Sequence, residues 1–231
     1  HHDMEGAVFS PDGGQVLTTS YSHLVPASAA RLWNATSGDC VYTFFHRGGR
    51  ALHAPSFSPD GVHVVFTCGD AAELWNLITG AHLRTFEGHT GPVASVAFSP
   101  DGTKLLTSAK DDTAKIWDAM SGTCLQTLSY SGKQVEYMME SGVRNATFAP
   151  DGVHVLTTFE ASYEHTPRLC DGLMSTVWNA ATGDCVREFT FAEGAATAAF
   201  LEVPRCTIIF KEATERSDPI DFESLEKAMK N

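Results

Sequence analysis

"AFSPDGTKLLTSAKDDTAKIWDAMSGTCLQTL", residues 97–128, holds an apolar run, a tight turn, a second apolar run, a tryptophan and another turn. An Asp-Gly pair between apolar-alternating segments is a hairpin signal, because the glycine supplies the positive φ that the turn demands. Pieces of this stretch recur as "VFSPDGGQVLTTS" (8–20), "SFSPDGVHVVFTC" (56–68) and "TFAPDGVHVLTTF" (147–159). Phe9, Phe57, Phe98 and Phe148 are each followed four residues on by glycine (Gly13, Gly61, Gly102, Gly152) and eight on by Leu17, Val65, Leu106 and Leu156. These segments form strands a and b of a repeating unit.

The second half of the unit is equally regular. "LWNATSGDCVYTF" (32–44), "LWNLITGAHLRTF" (74–86), "IWDAMSGTCLQTL" (116–128) and "VWNAATGDCVREF" (177–189) are one hairpin in four copies. Each tryptophan (Trp33, Trp75, Trp117, Trp178) has a glycine five residues on and a large apolar residue eleven on. These are strands c and d. Four short strands per repeat, with periods of mostly about 40–50 residues, describe the blade of a propeller.

Gly88-His89, "VASVAFSPDG" (93–102) and "KLLTSAKDDTAKIWD" (104–118) together resemble a complete repeat of the WD-repeat family. The other copies have Trp-Asn in place of Trp-Asp and lack Gly-His, so the resemblance is looser there. It implies an all-β fold, a WD40-type propeller of four four-stranded blades plus a partial fifth, belonging to a larger ring of about seven. The expected blades are about 6–48, 50–90, 91–132, 143–192 and a partial 195–211, making residues 1–212 the propeller. In the third repeat the resemblance also implies a structural tetrad of His89, Thr107 (or its neighbour Ser108), Asp111 and Trp117. His, Asp and a hydroxyl also suggest a hydrolase triad, but their spacing matches the structural network, and no catalytic residue is expected. Departures elsewhere suggest blades held more by apolar packing than by tetrads.

Loop lengths divide the connections into two sets. The a–b and c–d turns have one length each, whereas the separations from strand b to the tryptophan are 16, 10, 11 and 22 residues. Those from strand d to the next strand-a phenylalanine are 13, 12, 20 and 11. All the variation therefore lies in b–c and d–a connections, which open onto one face, the top. Insertions at 20–28, 129–142 and 159–173 carry Tyr21, His23, Tyr130, Lys133, Tyr137, Met138, Met139, Tyr163, His165 and Arg168. Long loops in a compact repeat are uncommon and often functional, and Tyr and Met suit partner surfaces. These residues are the partner-binding candidates, with packing back onto the rim as the alternative.

"ATAAFLEVPRCTIIF" (196–210) begins a fifth hairpin, with Ile208 eight residues after Phe200, and no tryptophan hairpin follows. The chain opens "HHDMEGAVFS", without an initiator Met or a signal stretch. Upstream residues missing from the sequence, strands supplied by another chain through β-augmentation, and a small self-closed ring are the alternatives for closure. "SDPIDFESLEKAMKN" (217–231) carries helix signals, with Asp218 as N-cap, Pro219 at the first position and an apolar stripe of Phe222, Leu225 and Met229. Residues 213–231 are therefore expected to be a tail with a short helix.

With 28 acidic and 16 basic residues the net charge is −12, which disfavours direct nucleic-acid binding. No apolar run is long enough to span a membrane. Cys40, Cys124 and Cys185 recur at one position of the repeat and read as small buried residues. No cysteine pair has metal-ligand spacing, the pairing of His23 with Glu164 and His165 has no ligand signature, and no metal or cofactor is expected. Reduced thiols fit an intracellular, by default cytoplasmic, location with organelles left open. The expected function is a non-catalytic protein–protein interaction scaffold in a larger multiprotein assembly, binding through its top-face loops. The alternatives are a structural subunit whose ring another chain completes, and, as the weakest, a propeller enzyme with acids, bases or metal ligands around its channel.

Overall fold

The computed structural model describes residues 3–21, 29–46, 50–129, 142–161, 172–190, 195–201 and 207–212. They form eighteen strands in chain order. Strands β1 (Asp3–Phe9), β2 (Gln15–Tyr21), β3 (Ala29–Asn34) and β4 (Cys40–Phe45) make one antiparallel sheet. β5 (His53–Phe57), β6 (His63–Cys68), β7 (Ala71–Asn76) and β8 (His82–Phe86) make the second. β9 (Val93–Phe98), β10 (Lys104–Ala109), β11 (Thr113–Asp118) and β12 (Cys124–Ser129) make the third. β13 (Val143–Phe148), β14 (His154–Ala161), β15 (Gly172–Asn179) and β16 (Cys185–Thr190) make the fourth. A hairpin of β17 (Ala195–Leu201) and β18 (Thr207–Glu212) follows, with Phe200 opposite Ile208. Each sheet is a meander of neighbours in sequence, and β1, β5, β9 and β13 lie side by side as the inner strands.

The a–b turns show why their length is fixed. In the first, the Ser10 hydroxyl donates to Asp12 (2.6 Å) and accepts the Gln15 amide (2.9 Å), while Asp12 accepts the Gly14 amide (3.0 Å). The third repeats this with Ser99, Asp101 and Lys104. Ala149 replaces the serine in the fourth, and there Asp151 takes both the amide and the ring Nδ1 of His154. Gly13, Gly61, Gly102 and Gly152 all have φ between 67° and 72°, so a side chain at any of them strains the turn.

The c–d turns explain why Trp-Asn serves as well as Trp-Asp. Asp118 Oδ1 accepts the amides of Met120 and Ser121, and Asn34, Asn76 and Asn179 do the same at their own turns. Only an oxygen in that place is required, and Asn supplies it.

The core consists of layers between successive sheets. Leu17, Leu32, Phe44, Leu52, Val64 and Phe66 join the first to the second. Val65, Leu74, Phe86, Val96, Leu105 and Trp117 join the second to the third, and Leu106, Ile116, Leu128, Phe148, Val155 and Trp178 join the third to the fourth. In the second and third sheets, which have a sheet on either face, strands b and c are the most buried. Phe57, Phe98 and Phe148 each pack into the layer shared with the preceding sheet. Among the described residues no such layer covers Phe9, which is 68% exposed.

The recurring cysteines differ from the sequence expectation. Cys40, Cys124 and Cys185 are exposed free thiols. They open the outermost strand of the first, third and fourth sheets, where one face meets solvent, so recurrence at that position reflects the strand's start and not burial. The tail at 213–231, with its expected helix, lies outside the described residues.

Candidate functional site: the buried tetrad and the variable rim

The third sheet assembles His89, Thr107, Asp111 and Trp117 into one chain of hydrogen bonds. Trp117 Nε1 donates to Thr107 Oγ1 (2.9 Å), and Thr107 Oγ1 lies 2.7 Å from His89 Nε2. His89 Nδ1 lies 2.9 Å from Asp111 Oδ2. A carboxylate only accepts, so Nδ1 carries the ring proton and Nε2 accepts from the threonine hydroxyl. Asp111 also takes the amides of Thr90 and Thr113 and the Thr113 hydroxyl. Ser108 stands outside this chain and pairs with Ser95 at 2.7 Å.

The ionisation follows from the placement. Burial holds the His89 imidazole below its ordinary pKa, and the opposing pull of Asp111 does not reverse this. Burial pushes the Asp111 carboxyl up, but hydrogen bonds from Thr113, Thr90 and His89 outweigh it and leave it below the ordinary carboxylate value. A neutral imidazole against a carboxylate has the composition of a catalytic dyad, yet here its other nitrogen and the hydroxyl are sealed in the core. His89 and Thr107 are 6% and 1% exposed, so no substrate reaches them. The network's effect is mechanical: it pins the d–a connection at 87–92 and the b–c turn at 110–112 to strands b and c.

The indole-to-threonine bond extends beyond this sheet. Trp33 Nε1 donates to Thr18 (2.8 Å) and Trp178 Nε1 to Thr157 (2.8 Å). Three of the four sheets therefore retain it, more than the apolar-packing expectation allowed. The signal was present in the sequence: the residue nine after each strand-a phenylalanine is Thr18, Phe66, Thr107 and Thr157.

Every b–c and d–a connection leaves the sheets on the rim that holds His89 and Asp111, because the strands alternate in direction. Tyr21 ends β2 at this rim. His23, Tyr130, Lys133, Tyr137, Met138, Met139, Tyr163, His165 and Arg168 lie outside the described residues, in segments whose flanking strands end on the same side.

The profile of the family described as "WD domain, G-beta repeat" matches residues 80–118, the stretch that contains His89, Asp111 and Trp117. Residues 80–118 are a WD40 repeat. Among similar proteins is the COMPASS component SWD3 of Saccharomyces cerevisiae, 31% identical over 186 residues, covering 80% of the WD40 chain and 51% of the yeast protein. Another is the target of rapamycin complex subunit wat1 of Schizosaccharomyces pombe, 33% identical over 105 residues, covering 45% and 32%. The WD40 chain thus spans about half or less of the length of these relatives. Among solved structures, Kuenenia stuttgartiensis hydrazine synthase superposes with a TM-score of 0.67 at 14% identity, covering 84% of the WD40 chain and 51% of that chain. That likeness concerns the fold alone.

The four sheets are the blades of this WD40 fold. Among the described residues, no helix is long and apolar enough to cross a membrane. The second blade departs furthest from the tetrad. Phe66 replaces the threonine, Trp75 Nε1 is buried without an acceptor, and His46 Nε2 lies 3.1 Å from Glu73 Oε1 at the same rim. Cys68 is beside this pair, and burial, aided by the Glu73 charge, pushes its thiol up to about 11. Sequence alone does not bring this group together, because 46, 68 and 73 have no ligand-type spacing.

Proposed function

We propose that this WD40 chain is a non-catalytic scaffold, a subunit of a multiprotein assembly that binds other proteins through its top-face loops. The carrying observation is the division of the connections. Bottom turns are held at one length by side-chain hydrogen bonds, whereas each long insertion leaves from strand ends on the opposite rim. A rigid platform with variable loops on one rim is how scaffolds present binding residues. The yeast relatives, named as a COMPASS component and a target of rapamycin complex subunit, support a role as a complex member. The affinity would come from a few anchors, with Tyr130, Tyr137, Met138, Met139 and Tyr163 the leading set and Tyr21, His23, Lys133, His165 and Arg168 beside them. The net charge of −12 supports protein rather than nucleic-acid partners, and an intracellular place of action agrees with the free thiols. Deleting 131–141 should abolish capture of partners while the melting temperature changes little. Capture equal to that of the intact chain would refute the top-face assignment.

A further inference from the structure

Three departures from the repeat converge on one point of the top rim, between the first and second blades. Strand c carries Arg31, Lys115 and Thr176 opposite the b-strand position that holds Thr18, Thr107 and Thr157, but Glu73 opposite Phe66. Glu73 is 5% exposed, Oε1 faces His46 Nε2 at 3.1 Å, and Oε2 is buried with no partner. Cys68, at the end of β6, is 2% exposed. The ligand-type atoms of His46, Cys68 and Glu73 all lie within 4.8 Å of one another. They sit in a cleft whose rim adds Asp70, Glu87 and the Arg50 guanidinium, the last 3.4 Å from Asp70.

We propose that His46, Cys68 and Glu73 form a zinc-type metal site that joins the first two blades. Each donor is of a kind that zinc takes, and sulfur plus imidazole nitrogen selects a borderline-soft ion over calcium or magnesium. Thiolate and carboxylate balance the dication's charge, and Glu73 Oε2 gains the partner it lacks. A tetrahedral zinc, with bonds of about 2.0–2.3 Å, holds its donors roughly 3.3–3.8 Å apart, so the trio closes by about an ångström of side-chain movement. The fourth position opens to the cleft, for water or a partner's side chain.

The site has one internal cost. His46 Nδ1 accepts the Arg50 amide at 3.2 Å, so metal at Nε2 places the ring proton on Nδ1 and ends that contact. In return, the bond from the first blade's d–a connection to the second blade's strands replaces the tetrad that Phe66 removed.

Cobalt(II) tests the proposal, because a thiolate ligand gives it a charge-transfer band and tetrahedral geometry gives it intense visible bands. The full chain, stripped of metal, is titrated with cobalt(II) and then with zinc(II) against a chromophoric chelator. The expected result is one equivalent of tetrahedral cobalt displaced by zinc, with the band lost in Cys68→Ser and retained in Cys124→Ser. Glu73→Gln keeps an oxygen for His46, and its zinc affinity should fall at least about tenfold, the lower end of what outer-shell changes alone produce. No thiolate band, or a band that persists in Cys68→Ser, would overturn the site and leave His46–Glu73 as a metal-free contact. Should Cys68→Ser fail to fold, unchanged zinc affinity in Glu73→Gln overturns it equally.

Discussion

Phe66 stands in the second blade where the other three carry threonine, and Trp75 Nε1 is left buried with no acceptor. The same fold therefore contains its own control for the tetrad. Trp117→Phe removes a donor that Thr107 uses, whereas Trp75→Phe removes an orphan. Both lose similar packing, and the first should cost about 1–2 kcal/mol more than the second, the worth of a buried hydrogen bond. Urea unfolding of the two variants checks it, and equal costs would mean that the indole bond adds nothing.

Thr107 has two dependants and Thr157 has one. Thr107→Val keeps the volume but strands both Trp117 Nε1 and His89 Nε2, each buried. Thr157→Val strands Trp178 Nε1. The expected losses are roughly 2–4 kcal/mol for the first and about 1–2 kcal/mol for the second, from the desolvation of each unpaired group. The order should appear as a difference in urea midpoint.

Acidification should loosen the third blade before any carboxylate titrates. His89 is held neutral, with its pKa below the ordinary 6.5, so the unfolded chain takes up a proton that the folded blade resists. Stability is therefore full above pH 6.5 and falls as the pH drops from there towards the depressed folded value. Asp111, also depressed, adds its loss only below the ordinary carboxylate value of 3.8, and Asp101, lowered to about 2, does likewise. A fall in the unfolding midpoint between pH 7.5 and 5.5 that vanishes in His89→Gln is the expected result.

At the c–d turns an oxygen is needed and a charge is not. Asn179→Asp should change stability by less than about 0.5 kcal/mol, whereas Asn179→Ala leaves the amides of Ala181 and Thr182 without their acceptor and should cost about 1 kcal/mol. Thermal melts of the two variants distinguish the cases.

The repeat was legible because glycine and aspartate at fixed offsets leave the chain few alternatives at its turns. The blades follow from Phe57, Phe98, Leu106 and Trp117 in alternation, and the family from Gly88-His89 and Trp117-Asp118. Cys40, Cys124 and Cys185 are exposed against the sequence expectation, since recurrence marks a place in the repeat and does not say which side of an outer strand it faces. Thr107 is legible through its tetrad, whereas Thr18 and Thr157 share its offset without a Gly-His beside them, and Phe66 breaks the pattern in the second blade. His46, Cys68 and Glu73 could not be found from spacing, since a connection, a strand end and a strand interior meet only when two blades stack.

The docking claim is tested most directly by lysine cross-linking of the chain with its captured partners, read by mass spectrometry. Lys110 lies in the b–c turn on the top side and Lys104 begins β10 beside an a–b turn, whereas Lys133 belongs by sequence to the d–a insertion at 129–142, whose flanking strands end on the top side. Cross-links to partners should concentrate at Lys110 and Lys133 and spare Lys104. Partner cross-links at Lys104 with none at the other two would contradict the assignment of the binding face.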